Sequence, residues 1–240
     1  MNLTVDIGNS FTKIAFFSSK SKIIKVLRFD NSDENIYKFI EENSFDACIL
    51  SSVLRNNEKI EGIIKQRTSN FLKFSHKTAI PLKNLYKTPE TLGLDRLAAA
   101  VGAYSLYPQK NILIFDAGSA LTIDFVSENA EYSGGNISPG LSMRFKALNT
   151  FTDKLPLCEK KDDFLKFGND TCSAITAGVL NGMIAEIDAY IDNFNKKYDN
   201  LITIITGGDS FFFENKLKNS IFVNPDLIMQ GLNNILIFNE

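Results

Sequence analysis

Two short segments carry the residue types needed to hold a phosphorylated ligand, and each is a version of the other. Asp6-Ile7-Gly8-Asn9-Ser10 follows the apolar run Leu3 to Val5, and Asp116-Ala117-Gly118-Ser119-Ala120 follows Ile112 to Phe115. A second apolar stretch comes directly after each, so both read as a strand, a tight turn and a returning strand. Glycine in such a turn lets a ligand approach the main chain, and the flanking amides and hydroxyls can cradle phosphate oxygens. Aspartates at the strand ends face the same ligand, where carboxylates hold cations and charge-neutralised phosphates. Ser10, Thr12 and Lys13 on the first turn, and Ser119 and Thr122 on the second, add hydroxyl and ammonium donors. One Asp-x-Gly alone is about as often a plain hairpin. Its duplication points to a nucleotide cleft between two related domains.

Three further clusters hold chemistry. Thr88-Pro89-Glu90-Thr91-Leu92-Gly93-Leu94-Asp95-Arg96 leads into an Ala-rich helix and presents Asp95 and Arg96 at its start. A carboxylate there can accept a proton from a substrate hydroxyl while the guanidinium engages carboxylate or phosphate. Taken alone, the same pair would only complement the helix dipole, with Arg96 solvated. Gly134-Gly135-Asn136-Ile137-Ser138-Pro139-Gly140 has the composition of a fixed loop that could close over a ligand. Gly168-Asn169-Asp170-Thr171 precedes a long helical pattern, with Thr171 as its N-cap. The single histidine, His76, lies in a polar stretch and is expected to have no structural or catalytic weight, which leaves acid–base work to carboxylates.

These residues need elements to place them. Thr12 to Phe17 and Ile23 to Phe29 continue an antiparallel meander, and Ser32 caps a helix with Ile36, Phe39 and Ile40 on one face. Ala47 to Val53 and Phe71 to Phe74 are strands on either side of a helix from Glu58 to Gln66. The opening pattern returns as Asn111 to Phe115, Leu121 to Val126 and Tyr132 to Ile137. A helix over Cys172 to Tyr198 buries Ile175, Val179, Met183, Ile187 and Ile191, with Gly178 and Gly182 forming a shallow groove for close helix packing. Leu201 to Ile205 is a strand, and Asp226 to Phe238 a closing helix.

Composition bounds the rest. With 240 residues, 44% of them hydrophobic and 22% charged, the chain can bury one large core or two modest ones. A net charge of -2 gives no drive toward nucleic acid. No apolar run of about 20 residues is visible and no leader pattern opens the chain, so the expected location is cytoplasmic, away from membranes. Cys48, Cys158 and Cys172 are odd in number and widely spaced, which argues against a disulfide framework.

Together, Asp6-x-Gly8-Asn9-Ser10, Gly93-x-Asp95-Arg96, Asp116-x-Gly118-Ser119-Ala120-x-Thr122-x-Asp124, Gly134-Gly135-x-Ile137-x-Pro139-Gly140 and Gly168-x-x-Thr171-x-x-Ala174 resemble type III pantothenate kinase. The five motifs stand in that family's order and span nearly the whole chain. The resemblance implies an α/β fold of the sugar kinase and actin superfamily: two tandem ribonuclease H-like domains, residues 1–110 and 111–240, around a nucleotide cleft. It implies ATP-dependent phosphorylation of pantothenate, the first step toward coenzyme A. Asp95 would be the general base, and Tyr86, Gly93, Leu94, Asp95, Arg96 and Thr171 would contact pantothenate. Asp6, Ile7, Gly8, Asn9, Ser10, Phe11, Thr12 and Lys13 would form the first phosphate loop, with Ser119 also touching ATP. Magnesium would sit near Asp6, held through phosphate or water, and a monovalent cation, potassium or ammonium, at Asp116. A homodimer is implied, with the glycine-bearing helix at the contact. Ser119 stands where the family usually has threonine, which keeps the hydroxyl, and the chain is slightly short for the family. Two other readings remain: a kinase of another small alcohol or sugar on the same fold, and a nucleotide-binding regulator without turnover.

Overall fold

The computed structural model describes residues 1–9, 11–54 and 57–240. The chain forms two compact units, one made of Met1–Pro108, Ala130–Tyr132 and Leu227–Glu240, the other of Gln109–Asn129 and Ser133–Asp226.

The first unit is built on β1 (Asn2–Ile7), β2 (Phe11–Phe17), β3 (Ile23–Asp30), α1 (Asn35–Glu42), β4 (Ala47–Ser52), α2 (Glu58–Arg67) and β5 (Asn70–Lys73). Its sheet runs β3-β2-β1-β4-β5, antiparallel through the meander and parallel from β1 to β5. Parallel neighbours need crossovers, and α1 and α2 supply them. Ile36 and Ile40 of α1 and Ile60 and Ile64 of α2 bury against Leu3, Val5, Cys48 and Leu50 of the sheet. The N-cap of α1 is Glu34 rather than Ser32. Ser32 instead gives its amide and hydroxyl to Asp30 Oδ1, at 3.0 and 2.6 Å, a local turn that outcompetes capping.

Beyond the sheet, β6 (Lys83–Asn84) pairs in parallel with Glu131 and Tyr132, and α3 (Leu94–Leu106) packs against the chain's last helix, Leu227–Phe238. Small residues let those two backbones meet. A Cβ on Gly231 would overlap the Ala98 carbonyl, and one on Gly102 the Leu227 carbonyl. Replacing Gly231 by Ala should therefore cost about 3 kcal/mol or more. Gly62→Ala is the control, because Gly62 has nothing within 4 Å of an added Cβ and lies inside α2, so it should gain about 0.5–1 kcal/mol. Thermal denaturation checks both, and unchanged melting of G231A would refute this view of the helix contact.

The second unit repeats the plan with β7 (Ile112–Ala117), β8 (Ala120–Val126), β9 (Glu131–Pro139), α4 (Leu141–Thr150), α5 (Thr171–Asn195), β10 (Ile202–Thr206), α6 (Ser210–Phe213) and β11 (Phe222–Val223); the last helix is α7 (Leu227–Phe238). Strands run β11-β10-β7-β8-β9. As β1 does, β7 lies between an antiparallel hairpin partner and a parallel strand. The chain thus has two ribonuclease H-like domains.

Several expectations are corrected here. The strand expected over Tyr132 to Ile137 is β9, and it runs on to Pro139, so residues 134–139 form no loop; Gly135 is there because a Cβ would overlap the Ile123 carbonyl. α4, which follows Gly140, has no signal strong enough to be read from the sequence. The N-cap of α5 is Asp170, whose carboxylate accepts from the amides of Cys172 and Ser173, while Ser173 Oγ accepts from the Asp170 amide; Thr171 is the first helical residue. Cys158 and Cys172 are joined in a disulfide, since the chain between them folds back to bring their Cα atoms to 5.9 Å. α5 is long and apolar enough to cross a bilayer by length and composition alone. Its Ile175, Val179, Met183, Ile187 and Ile191 are instead buried in the core of the second unit. Gly178 and Gly182 have nothing within 4 Å of an added Cβ, so within this chain they serve no close helix packing.

Candidate active site

Each unit places one aspartate at the same point of its sheet. Asp6 is the next-to-last residue of β1, opposite Lys13 of β2 and Ser51 of β4. Asp116 is the next-to-last residue of β7, opposite Thr122 of β8 and Thr206 of β10. The strand ends between an antiparallel and a parallel neighbour, so the carboxylate and the turn beyond it share one sheet edge. The Gly8 amide closes the first turn on the Phe11 carbonyl at 3.0 Å, and the Gly118 amide closes the second on the Ala120 carbonyl, also at 3.0 Å.

In the first unit the predicted residues do gather. Gly93 is the N-cap of α3, and Leu94 and Asp95 begin its first turn. The Arg96 amide donates to Asp95 Oδ1 at 2.8 Å. Arg96 is buried at 5% exposure, so the solvated alternative for its guanidinium does not hold; its plane lies 5.8 Å from the Tyr86 ring. Tyr86 in turn lies tilted against fully buried Tyr132, ring centroids 6.4 Å apart. Asp6 and Asp95 feel each other's charge. Burial first, and then the Asp95 carboxylate, push the Asp6 pKa up from 3.8 to about 6, opposed by a hydrogen bond from Ser51 and the charge of Lys13.

That balance is a test of fit for a cation. A half-buried carboxylate whose charged form is disfavoured suits a nearby magnesium, held through phosphate or water. No group of three or more His, Cys, Asp or Glu side chains converges among the described residues, so neither aspartate stands in an all-protein metal cage. Phe11 is exposed under the Arg28 guanidinium, 3.6 Å from its ring, whereas Thr12 is buried and gives its hydroxyl to Asn31 Oδ1. Ile7 is buried, Asn9 is exposed, and Ser10 lies outside the described residues.

In the second unit, Gly207 reaches the Asp116 carboxylate: its φ of +93° needs glycine, and a Cβ would overlap Asp116 Oδ1. Only a glycine at 207 allows the chain after β10 to pass this close to Asp116 and Ala117. Ser119 lines a cavity of about 400 Å³ with Ser142, Met143, Lys146 and Phe151. A neighbouring cavity of about 350 Å³ includes Lys146, Lys160 and Asp209, with Lys160 Nζ paired to Asp209 Oδ1 at 2.6 Å. Thr171 is exposed and lines neither.

Ser51, Asn31, Gly207, Lys146 and Lys160 escaped the sequence reading. Only Gly207 had a visible signal, in Thr206-Gly207-Gly208-Asp209 at a strand end. His76 also has more weight than expected, for its Nε2 bonds the Leu92 carbonyl at 2.7 Å, just ahead of Gly93.

Paired ribonuclease H-like domains with aspartates at matching strand ends define the class of actin-like and sugar kinases. The fold agrees with the crystal structure of a proposed N-acetylmannosamine kinase from Listeria monocytogenes, at TM-score 0.57 and 13% identity over 99% of both chains. It agrees further with a conserved, proposed Baf family transcriptional activator from Campylobacter jejuni, at TM-score 0.63 and 26% identity over 99% of this chain and 98% of that one. The family model for type III pantothenate kinase matches residues 2–193. Type III pantothenate kinases from Phocaeicola vulgatus and Porphyromonas gingivalis are 43% and 41% identical, covering 100% and 99% of this chain and 99% and 98% of theirs. The chain belongs to the type III pantothenate kinase family, and is accordingly an ATP-using kinase that works with a divalent metal.

Proposed function

We propose that this enzyme transfers the γ-phosphoryl group of ATP to the primary hydroxyl of pantothenate, giving 4'-phosphopantothenate and ADP, with Asp95 as general base. The observation that supports these roles is that Asp95, at the start of α3 beside buried Arg96, lies near enough to Asp6 for its charge to help raise the Asp6 pKa. Phosphoryl transfer asks mainly for positioning and charge neutralisation. Asp95 takes the hydroxyl proton as the oxygen bonds to phosphorus and the bond to the β-phosphate breaks. In the first unit Arg96, held against Tyr86, would orient pantothenate together with Gly93 and Leu94, and the Asp6–Lys13 segment would hold ATP, with Asp6 turned to magnesium, which neutralises phosphate charge when bound. In the second unit Thr171 would give a substrate contact, Ser119 an ATP contact, and Asp116 would take a monovalent cation.

A homodimer is supported by the second unit. Pro139, Met143, Ala147, Phe151, Ile175 and Gly178 line an apolar groove of about 560 Å³, and Phe151 is 84% exposed. Light scattering should give twice the 26.8 kDa chain mass, and a monomer would remove this part.

The experiment is a coupled assay of ADP release with pantothenate and magnesium-ATP, in potassium and again in sodium alone. Pantothenate-dependent turnover that needs potassium is the expected result. Equal rates in both salts would remove the cation from Asp116. Preference for a sugar acceptor would overturn the substrate, and ATP binding without transfer to any acceptor would favour a regulator.

A further inference from the structure

The first turn is held from behind by Asn31, the residue directly after β3. Asn31 Nδ2 donates to the Gly8 carbonyl at 2.8 Å, and its Oδ1 accepts the Thr12 hydroxyl at 2.8 Å. One amide thus clasps both sides of the turn. The Gly8 amide is engaged as well, on the Phe11 carbonyl, so the peptide plane between Gly8 and Asn9 has little freedom. In a planar trans peptide the carbonyl and the following N–H point opposite ways. With the Gly8 oxygen turned to Asn31, the Asn9 N–H is directed to the other side of the turn.

We propose that Asn31 is a positioning residue for the nucleotide: it orients the Gly8–Asn9 peptide so that the Asn9 N–H meets a phosphate oxygen of ATP. The proposal rests on the reading of Asp6 to Lys13 as a phosphate turn. The task needs a donor and an acceptor on one short planar group. Aspartate has no donor for the Gly8 oxygen, and serine is too short to span Gly8 and Thr12. A cavity of about 220 Å³, lined in part by Thr12, Asn31, Tyr37 and Lys59, opens behind the amide, and Asn31 is half-buried. Water can therefore reach the Gly8 carbonyl when the side chain is cut back, and no buried acceptor is stranded.

Binding of a non-hydrolysable magnesium-ATP analogue to wild type, Asn31→Ala and Asn31→Asp, measured by titration calorimetry, tests this directly. The affinity should fall about 5–10-fold in N31A, the scale of one oriented hydrogen bond, and further in N31D, which adds negative charge beside the phosphates. KM for ATP should rise in the same ratio while KM for pantothenate stays within about twofold and melting is little changed. Equal analogue affinities in the three proteins would overturn the proposal. So would a rise of both KM values together with a fall in kcat and melting temperature, the mark of a purely structural role. A wild type that binds the analogue yet transfers nothing to pantothenate defeats the substrate reading alone, and the affinity ratio still decides on Asn31. A wild type that does not bind the analogue defeats both.

Discussion

Replacing Asp95 by Asn lowers pantothenate-dependent turnover by about 100-fold or more, the usual scale for losing a general base, while the protein still folds. Asn keeps an oxygen to accept the Arg96 amide and the volume beneath the α3 start, so the turn should hold. It cannot take the proton that the pantothenate hydroxyl must lose. A second readout separates catalysis from mere support of the helix. The Asp95 charge is one cause of the raised Asp6 pKa, after burial. Its removal should lower the Asp6 pKa and move the acid limb of magnesium-ATP binding to lower pH. Turnover near wild type would take Asp95 out of the mechanism, and an unmoved acid limb would deny its coupling to Asp6.

Asp6→Asn is expected to weaken magnesium-ATP binding by roughly 10–100-fold and yet to stabilise the ligand-free protein near neutral pH. The sign follows from linkage. Asp6 has its folded pKa raised to about 6 from 3.8, so its favourable contribution is whole below pH 3.8 and is lost as pH rises through about 6. Above that, the free enzyme carries a half-buried carboxylate whose charge costs on the order of 2 kcal/mol. Asn removes that cost and can still take the hydrogen bond from Ser51. Melting of the ligand-free pair should thus diverge as pH rises from 4 to 7, with D6N the more stable, and wild-type affinity for magnesium-ATP should decline below pH 6. Equal melting across that range would sink the claim that Asp6 is held ready for a cation at the expense of stability.

Much of this was legible in one dimension, and the reasons are local. Alternating apolar residues place β1, β2, β7 and β8, and Asp-x-Gly between such runs marks a turn, because those signals depend on neighbours in sequence. Ile175, Val179, Met183, Ile187 and Ile191 betray the core face of α5 for the same reason. Five motifs in a fixed order carried the family, which the comparisons then established. Errors cluster where a distant residue decides. Gly135 looks like a loop residue until the Ile123 carbonyl of β8 is seen to occupy the Cβ position. Cys158 and Cys172 look unrelated until the chain folds back. Thr171 looks like a cap until the carboxylate beside it takes the amides.

The sequence by itself determined the duplicated strand-turn-strand and the chemistry available at each aspartate, because residue type and short-range spacing suffice for those, while the class of reaction came through the resemblance carried by its five ordered motifs. Only the tertiary structure decided which groups share a field. Ser51 comes to Asp6 through a parallel strand pairing 45 positions on, Gly207 comes to Asp116 in a similar way, and Asp95 reaches Asp6 from a helix start. A pKa or a clasped peptide arises from groups that meet only when distant strands align, and sequence spacing carries no record of that meeting.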